Sequence, residues 1–168
     1  MVAIKNKRLV VLVFRVAGQP YAVRSSDVDQ IAPMAELDCP PGVPKLLAGF
    51  LNLQGQPVPV IRVHHLFDLP QTPLRLWTPL VILDSAGERL ALLVDEVIGI
   101  LSVAEEAILP LPNHHVVNEC VTGIVRLEEE SLLWLAPERL LLEKESQTIA
   151  ELQQMVSRRI DELEGVEA

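Results

Sequence analysis

Apolar positions in the first four-fifths of the chain come in short runs, not at helical spacing. Leu9-Val-Val-Leu-Val-Phe-Arg-Val16 is rich in β-branched residues, Ala17-Gly18-Gln19 supplies a turn, and Tyr21-Ala-Val23 resumes as the return arm of a hairpin. Leu80-Val-Ile-Leu83, Ser85-Ala86-Gly87 and Leu90-Ala-Leu-Leu-Val94 predict a second hairpin of the same design. Thirteen prolines, scattered from Pro20 to Pro137, disfavour long helices over this stretch. Beyond Pro137 the period changes: Ile149, Leu152, Val156, Ile160 and Leu163 recur at helical spacing. Thr148-x-x-Glu151 fits a capping box. The spacing therefore predicts a terminal amphipathic helix, whose apolar stripe either docks on its own domain or forms a seam for a partner.

The two hairpins align at an offset of 69, which places Ala17-Gly18 on Ala86-Gly87, Asp27-Val28 on Glu96-Val97 and Ile31 on Ile100. A second stretch aligns at 74, with Gly49 on Gly123, Leu53 on Leu127, Val60-Ile61 on Trp134-Leu135 and Leu66-Phe67 on Leu140-Leu141. Each half runs strand, Gly turn, strand, a short acidic segment into another strand, a Pro-rich connection and a Gly-led hairpin. The pattern predicts an internal duplication of small β units. Units of about 70 residues with four or five short strands close into small barrels, because closure removes exposed edges. The expected fold is all-β: two small five-stranded SH3/OB-like β-barrels with a C-terminal α-helix. Residues 9–75 and 76–145 are the expected units, with 146–168 the helix and tail; exchange of strands between barrels stays open.

Composition narrows the function. The chain has 168 residues, 49% of them apolar, enough to build a core without disulfide or metal staples. A net charge of −9 repels nucleic acid and anionic lipid. Cys39 and Cys120 lie far apart with no CxxC spacing and read as reduced cytosolic thiols. Lys5, Lys7 and Arg8 precede an apolar run, but Leu9–Phe14 is too short for a signal-peptide core. No stretch approaches the length of a membrane span, so a cytoplasmic chain without membrane insertion is expected. His64-His65 and His114-His115 are adjacent pairs, and neighbours on a strand point to opposite faces, so neither pair chelates alone. Glu128-Glu129-Glu130 falls in a predicted hairpin turn and reads as a solvated charge run. Nucleophile elbows and phosphate loops are absent, so no catalytic residue, metal or cofactor is expected and the chain reads as a binding module.

The segment Leu47-Ala-Gly-Phe-Leu-Asn52-Leu-Gln54-Gly55-Gln-Pro-Val-Pro-Val-Ile61 carries a resemblance. With Phe14–Val23, Asp27–Ile31, Leu92–Val97 and Ile108-Leu-Pro110, it resembles the CheW-like adaptors of bacterial chemosensory arrays, over about residues 9 to 142. Their signature runs approximately G-x-x-N-L-R-G-x-x-x-P-x-x-D-L. The resemblance implies two five-stranded barrels and a non-catalytic scaffold coupling chemoreceptors to a CheA-type histidine kinase. It further implies that the cytoplasmic tip of the receptor's helical hairpin lies in a groove between barrels. The kinase regulatory domain would meet the barrel ends, and self-association or ring assembly is possible on the same plan. Recruitment to membrane receptor arrays follows from this.

Carried over to this sequence, the implied partner-binding positions are Val28, Gln30, Ile31, Asn52, Gln54, Gly55 and Leu80. Val28, Ile31 and Leu80 read equally as core, and Asn52 and Gly55 as a turn device. Gln54 stands where the family carries Arg, and Gln30 where it carries Glu, so two charges that look like an ion pair become amides. Losing both charges is less costly than losing one, and a Gln30–Gln54 hydrogen bond is the expected substitute. Arg62 replaces the family's Asp after the proline strand. The competing reading is a small-barrel module that binds a ligand or nucleic acid; the acidity and few aromatics count against it.

Overall fold

The structure, a computed structural model, describes residues 7–85, 87–111, 120–141 and 143–166. Its elements are β1 (Arg8–Val16), β2 (Gln19–Arg24), β3 (Val28–Pro33), β4 (Leu47–Leu53), β5 (Gln56–Arg62), α1 (Val63–Leu66), β6 (Pro79–Ser85) and β7 (Glu88–Leu93). They continue with β8 (Glu96–Ala104), β9 (Ile108–Pro110), β10 (Val121–Arg126), β11 (Ser131–Leu135) and α2 (Glu143–Val166). The two predicted hairpins are β1–β2 and β6–β7. The first turns on Ala17 and Gly18 at φ +50° and +81°, the left-handed pair that a two-residue turn needs to match strand twist.

The strands form a six-stranded sheet, β8-β1-β2-β11-β10-β9, and a five-stranded sheet, β3-β6-β7-β5-β4. Under the repeat offsets the two orders are the same, with β1–β2 of the first half standing where β6–β7 of the second half stands in the other sheet. Register is kept as well. Trp134 faces Ala22 in one parallel pair where Val60 faces Ala91 in the other. Bulges fall at matching places, between Val13 and Phe14 against β8 and between Val28 and Gln30 against β6. Each sheet is thus built from the opening hairpin of one half and the later strands of the other. We propose that 9–75 and 76–145 are the duplicated units, their hairpins exchanged, and that 146–168 is an addition.

The sheets are open in hydrogen bonding; no ladder joins β3 to β4 or β8 to β9 among the described residues. The outer edge of β10 carries β9, whereas β4 carries only the bridge Asp38–Phe50, with both N–H···O bonds at 2.8 Å. This crossing explains the paired glycines. A Cβ on Gly49 would stand 2.8 Å from Cys39 Sγ and 2.9 Å from Leu37 Cβ, and one on Gly123 would stand 2.9 Å from the Leu109 carbonyl oxygen.

Strand exchange also explains why the hairpins read as unbroken apolar runs rather than alternating ones: both faces of the central strands are buried. Val11, Val13 and Ala22 pack with Val103, Val125, Leu132 and Trp134 on the outer face of the larger sheet. Leu80, Ile82, Ala91 and Leu93 pack with Ala48, Leu51, Val58 and Val60 on the outer face of the smaller one. Between the sheets lies a shared core, where Phe14, Tyr21 and Val23 meet Phe50, Ile61, Val81, Leu83 and Leu92.

α2 completes that shared core with Ile149, Leu152, Val156 and Ile160, so the stripe docks in cis. Burying each such side chain contributes roughly 1.5–3 kcal/mol. Gln153 Nε2 donates to the Pro57 carbonyl at 2.7 Å, and Arg159 meets Asp38 at 3.1 Å. Leu163 is left exposed. The expected capping box is not formed: the helix begins at Glu143, before Thr148, whose hydroxyl donates to the Lys144 carbonyl one turn back at 3.0 Å.

Exchange predicts that neither half folds alone. Residues 1–75 lack β6–β7, the two strands beside β3 and β5, and should show no cooperative melting. Mixing them with residues 76–168 should restore β-sheet circular dichroism and one thermal transition. Independent folding of either fragment would contradict the exchange.

Candidate functional site

Buried nucleophiles come first, since they would carry any chemistry. Tyr21 stacks between Phe14 and Phe67, with ring centroids at 5.8 and 5.1 Å, in the shared core. Burial pushes its hydroxyl up to about 12, with the Cys120 thiolate adding repulsion. Burial likewise pushes the Cys120 thiol up to about 11, against a smaller opposing effect of backbone N–H groups at Cys120 and Val121. Both groups keep their protons at neutral pH and act as packing.

His64 is buried in α1, with Nε2 2.9 Å from Asp95 Oδ1 and 3.3 Å from Thr72 Oγ1. The second Asp95 oxygen accepts the Ala17 N–H at 2.7 Å. Asp95, at the crossing from β7 to β8, so ties the β1–β2 turn to α1. The contact is a clamp between exchanged parts, and the Thr72 hydroxyl and Asp95 carboxylate both meet the same ring nitrogen of His64. Among the described residues no three His, Cys, Asp or Glu side chains gather as a metal site, and His114 and His115 lie outside those residues. Glu130 of the acidic turn pairs with Arg15 at 3.1 Å, while Glu128 and Glu129 face solvent.

The sequence-predicted contact residues fall on one sheet but in two places. Val28, Gln30 and Ile31 lie on its edge strand β3, with Leu80 on the neighbouring β6, opposite Ala32. Asn52, Gln54 and Gly55 form the β4–β5 turn at the other edge. There the Asn52 side-chain oxygen accepts the Gly55 N–H at 2.8 Å, and Gln54 and Gly55 take φ +53° and +87°. The Gln30–Gln54 hydrogen bond is not formed. Gln30 Nε2 instead donates to Asp29 Oδ2 at 3.3 Å, and among the described residues no ladder joins β3 to the hairpin that carries Gln54. Leu80 is 0% exposed and contributes to the outer core of its sheet, offering no surface. Val28 is half-buried against the shared core, and Ile31, 47% exposed, lies on the same face of β3 as Val28, paired with Val81.

The repeat adds a second edge that residue-by-residue reading missed. Ile100, equivalent to Ile31, sits on edge strand β8 opposite Leu12 and is 66% exposed. Val10 is exposed on the same face, opposite Ser102, and Ile98 is exposed at the bulge. Val97, the counterpart of Val28, packs on the shared core as Val28 does. Ile31 and Ile100 thus lie on the faces of β3 and β8 that turn toward the shared core, with Val10 beside Ile100 and Ile98 exposed at the bulge. An unpaired apolar edge is a surface that folded proteins ordinarily cover. The offset that aligns Ile31 with Ile100 is the signal that could have found it.

The family model described as CheW-like domain matches residues 10–145. A chemotaxis protein CheW of Treponema pallidum is 23% identical over 156 residues, covering 89% of this chain and 92% of that protein. The chemotaxis protein CheW of Bacillus subtilis is 28% identical over 137 residues, covering 80% and 87%. The crystal structure of the scaffolding protein TtCheW from Thermoanaerobacter tengcongensis superposes with a TM-score of 0.76 at 21% identity, covering 83% of this chain and 96% of that one.

The raised Tyr21 and Cys120 values fix the direction of a pH dependence. Above about pH 9 the unfolded chain releases these protons while the folded chain holds them, so stability falls as pH rises toward about 12. One to three kcal/mol per group is the expected order, at about 1.4 kcal/mol per unit. Denaturant unfolding between pH 8 and 11.5 should show this fall, flattened in Tyr21→Phe and in Cys120→Ala. Slopes identical to wild type in both variants would contradict the assignment.

Proposed function

The chain belongs to the CheW-like domain family, and from that membership we propose that it is a non-catalytic scaffold adaptor coupling chemoreceptors to a CheA-type histidine kinase. The observation that carries the reading is the pair of repeat-related exposed residues, Ile31 and Ile100, each on the face of an edge strand that turns toward the shared core. An amphipathic helix laid against such exposed apolar positions buries its apolar face. The tip of a receptor's cytoplasmic helical hairpin has that shape and chemistry. The β4–β5 turn, with Asn52, Gln54 and Gly55 held rigid by the Asn52–Gly55 bond, is the surface proposed for the kinase regulatory domain. Among the described residues no helix is long and apolar enough to cross a membrane, so recruitment to receptors from the cytoplasm fits this role.

Gln54 and Gln30 bear on partner choice rather than on fold. Gln30 meets only the neighbouring Asp29 carboxylate, and among the described residues no hydrogen bond joins it to Gln54, so replacing both family charges by amides strands neither. The proposed partners therefore carry neutral or amide-compatible surfaces where family partners would meet Arg and Glu.

Ile31→Asp combined with Ile100→Asp should weaken binding to a soluble receptor-tip fragment at least tenfold by calorimetry, with melting little changed because both residues are exposed. Binding to the kinase regulatory domain should persist in that variant. Undiminished receptor-fragment binding, or no binding of either fragment by the wild-type chain, would contradict the proposal.

A further inference from the structure

Two surface features remain outside this reading, and they complement each other. The first is a turn just before β6. Arg75 N–H donates to Thr78 Oγ1 at 2.8 Å, and Thr78 N–H donates to the Arg75 carbonyl at 3.1 Å. Thr78 is buried, so the turn is anchored, yet it lifts Leu76 and Trp77 into solvent at 84% and 70% exposure. The Arg75 guanidinium lies over the Trp77 ring at 5.6 Å. A fixed turn presenting Trp, Leu and Arg has the composition of an interface anchor, left uncovered among the described residues.

The second is a groove of about 810 Å³ between α2 and the far end of the β6–β7 hairpin. Leu90, Leu141 and Ala150 give it an apolar floor, and of its charged residues the carboxylates Asp84, Glu88 and Glu138 outnumber the one cation, Arg89, so its balance is acidic. Its volume accepts an indole and a leucine side chain, and its charge suits the guanidinium beside them. One wall is α2, of which the family match includes only the first residues, so the CheW-like domain by itself does not build this groove.

The turn precedes Pro79 and the groove includes Ser85, so they sit at opposite ends of β6, about 20 Å apart at the rise of a strand. A chain cannot fill its own groove with its own turn. We infer that the Arg75–Trp77 turn of one copy seats in the α2 groove of a second copy, a head-to-tail contact that repeats along the assembly. Three anchoring side chains cover less than the roughly 1,200 Å² of stable complexes, so the contact forms at high local concentration, as in an array. The inference rests on the scaffold reading for its purpose, and its test needs neither receptor nor kinase.

Sedimentation velocity of the full chain up to about 1 mM should show growth past dimer, with a blue shift of Trp77 emission. Leu76→Asp with Trp77→Ala should abolish both, and Ala150→Arg on the groove wall should abolish growth, each with wild-type melting. Mixing the two defective variants leaves one good turn and one good groove, and should restore a dimer and nothing larger. A monomer throughout, association untouched by either variant, or no dimer on mixing would each overturn the inference. So would an emission shift that appears only when a receptor or kinase fragment is added.

Discussion

The constraint on which the rest depends is that the two opening hairpins, β1–β2 and β6–β7, must be buried on both faces. Val11 and Val13 point to one core while Leu12, Phe14 and Val16 point to another, so from Val11 to Phe14 neither face of β1 is free for water. β6 repeats this with Leu80 and Ile82 against Val81 and Leu83. A hairpin of this kind must lie in the middle of a sheet with a second layer behind it. Exchange meets the demand for both hairpins at once, and the shared core between the sheets is the result.

Placement of the binding surfaces follows from that arrangement. Strands that cross from one sheet to the other, β3 after β2 and β8 after β7, end as edge strands. Val28 and Val97 anchor their first turns of backbone in the shared core, and Ile31 and Ile100 emerge further along, where the core gives out. The exposed apolar positions proposed for a receptor are thus a consequence of how the chain is threaded between the sheets. The Asp95 clamp, which holds α1 and the β1–β2 turn together, fixes the crossing into β8.

Much of this was legible in the residues. β-branched runs with Gly turns located both hairpins, the offsets of 69 and 74 anticipated the element order that the two sheets share, and helical spacing found α2. Exchange was not legible, because a hairpin's apolar faces state that it needs neighbours without stating whose. Leu80 was read as a possible contact since an apolar strand residue carries no mark of which layer covers it; β6 turned out to be central and β3 the edge. The Gln30–Gln54 bond implied by the family's two charges does not form, because Gln30 turns to its neighbour Asp29 and Gln54 takes a left-handed turn position, and single residues encode neither choice. The Leu76–Trp77 turn went unremarked because its significance lies in exposure, and apolar residues next to prolines usually pack inward.

The central claim is that the exchanged hairpins make the two sheets one cooperative body. Native-state hydrogen exchange on Leu80→Ala, a change confined to the smaller sheet's own outer core, tests it most directly. A fully buried Leu→Ala substitution costs about 2–5 kcal/mol. The account predicts that this loss appears equally in the opening free energies of amides in the other sheet, Val13 and Ala22 among them. Protection in the larger sheet that stays at its wild-type level while the smaller sheet weakens would contradict it.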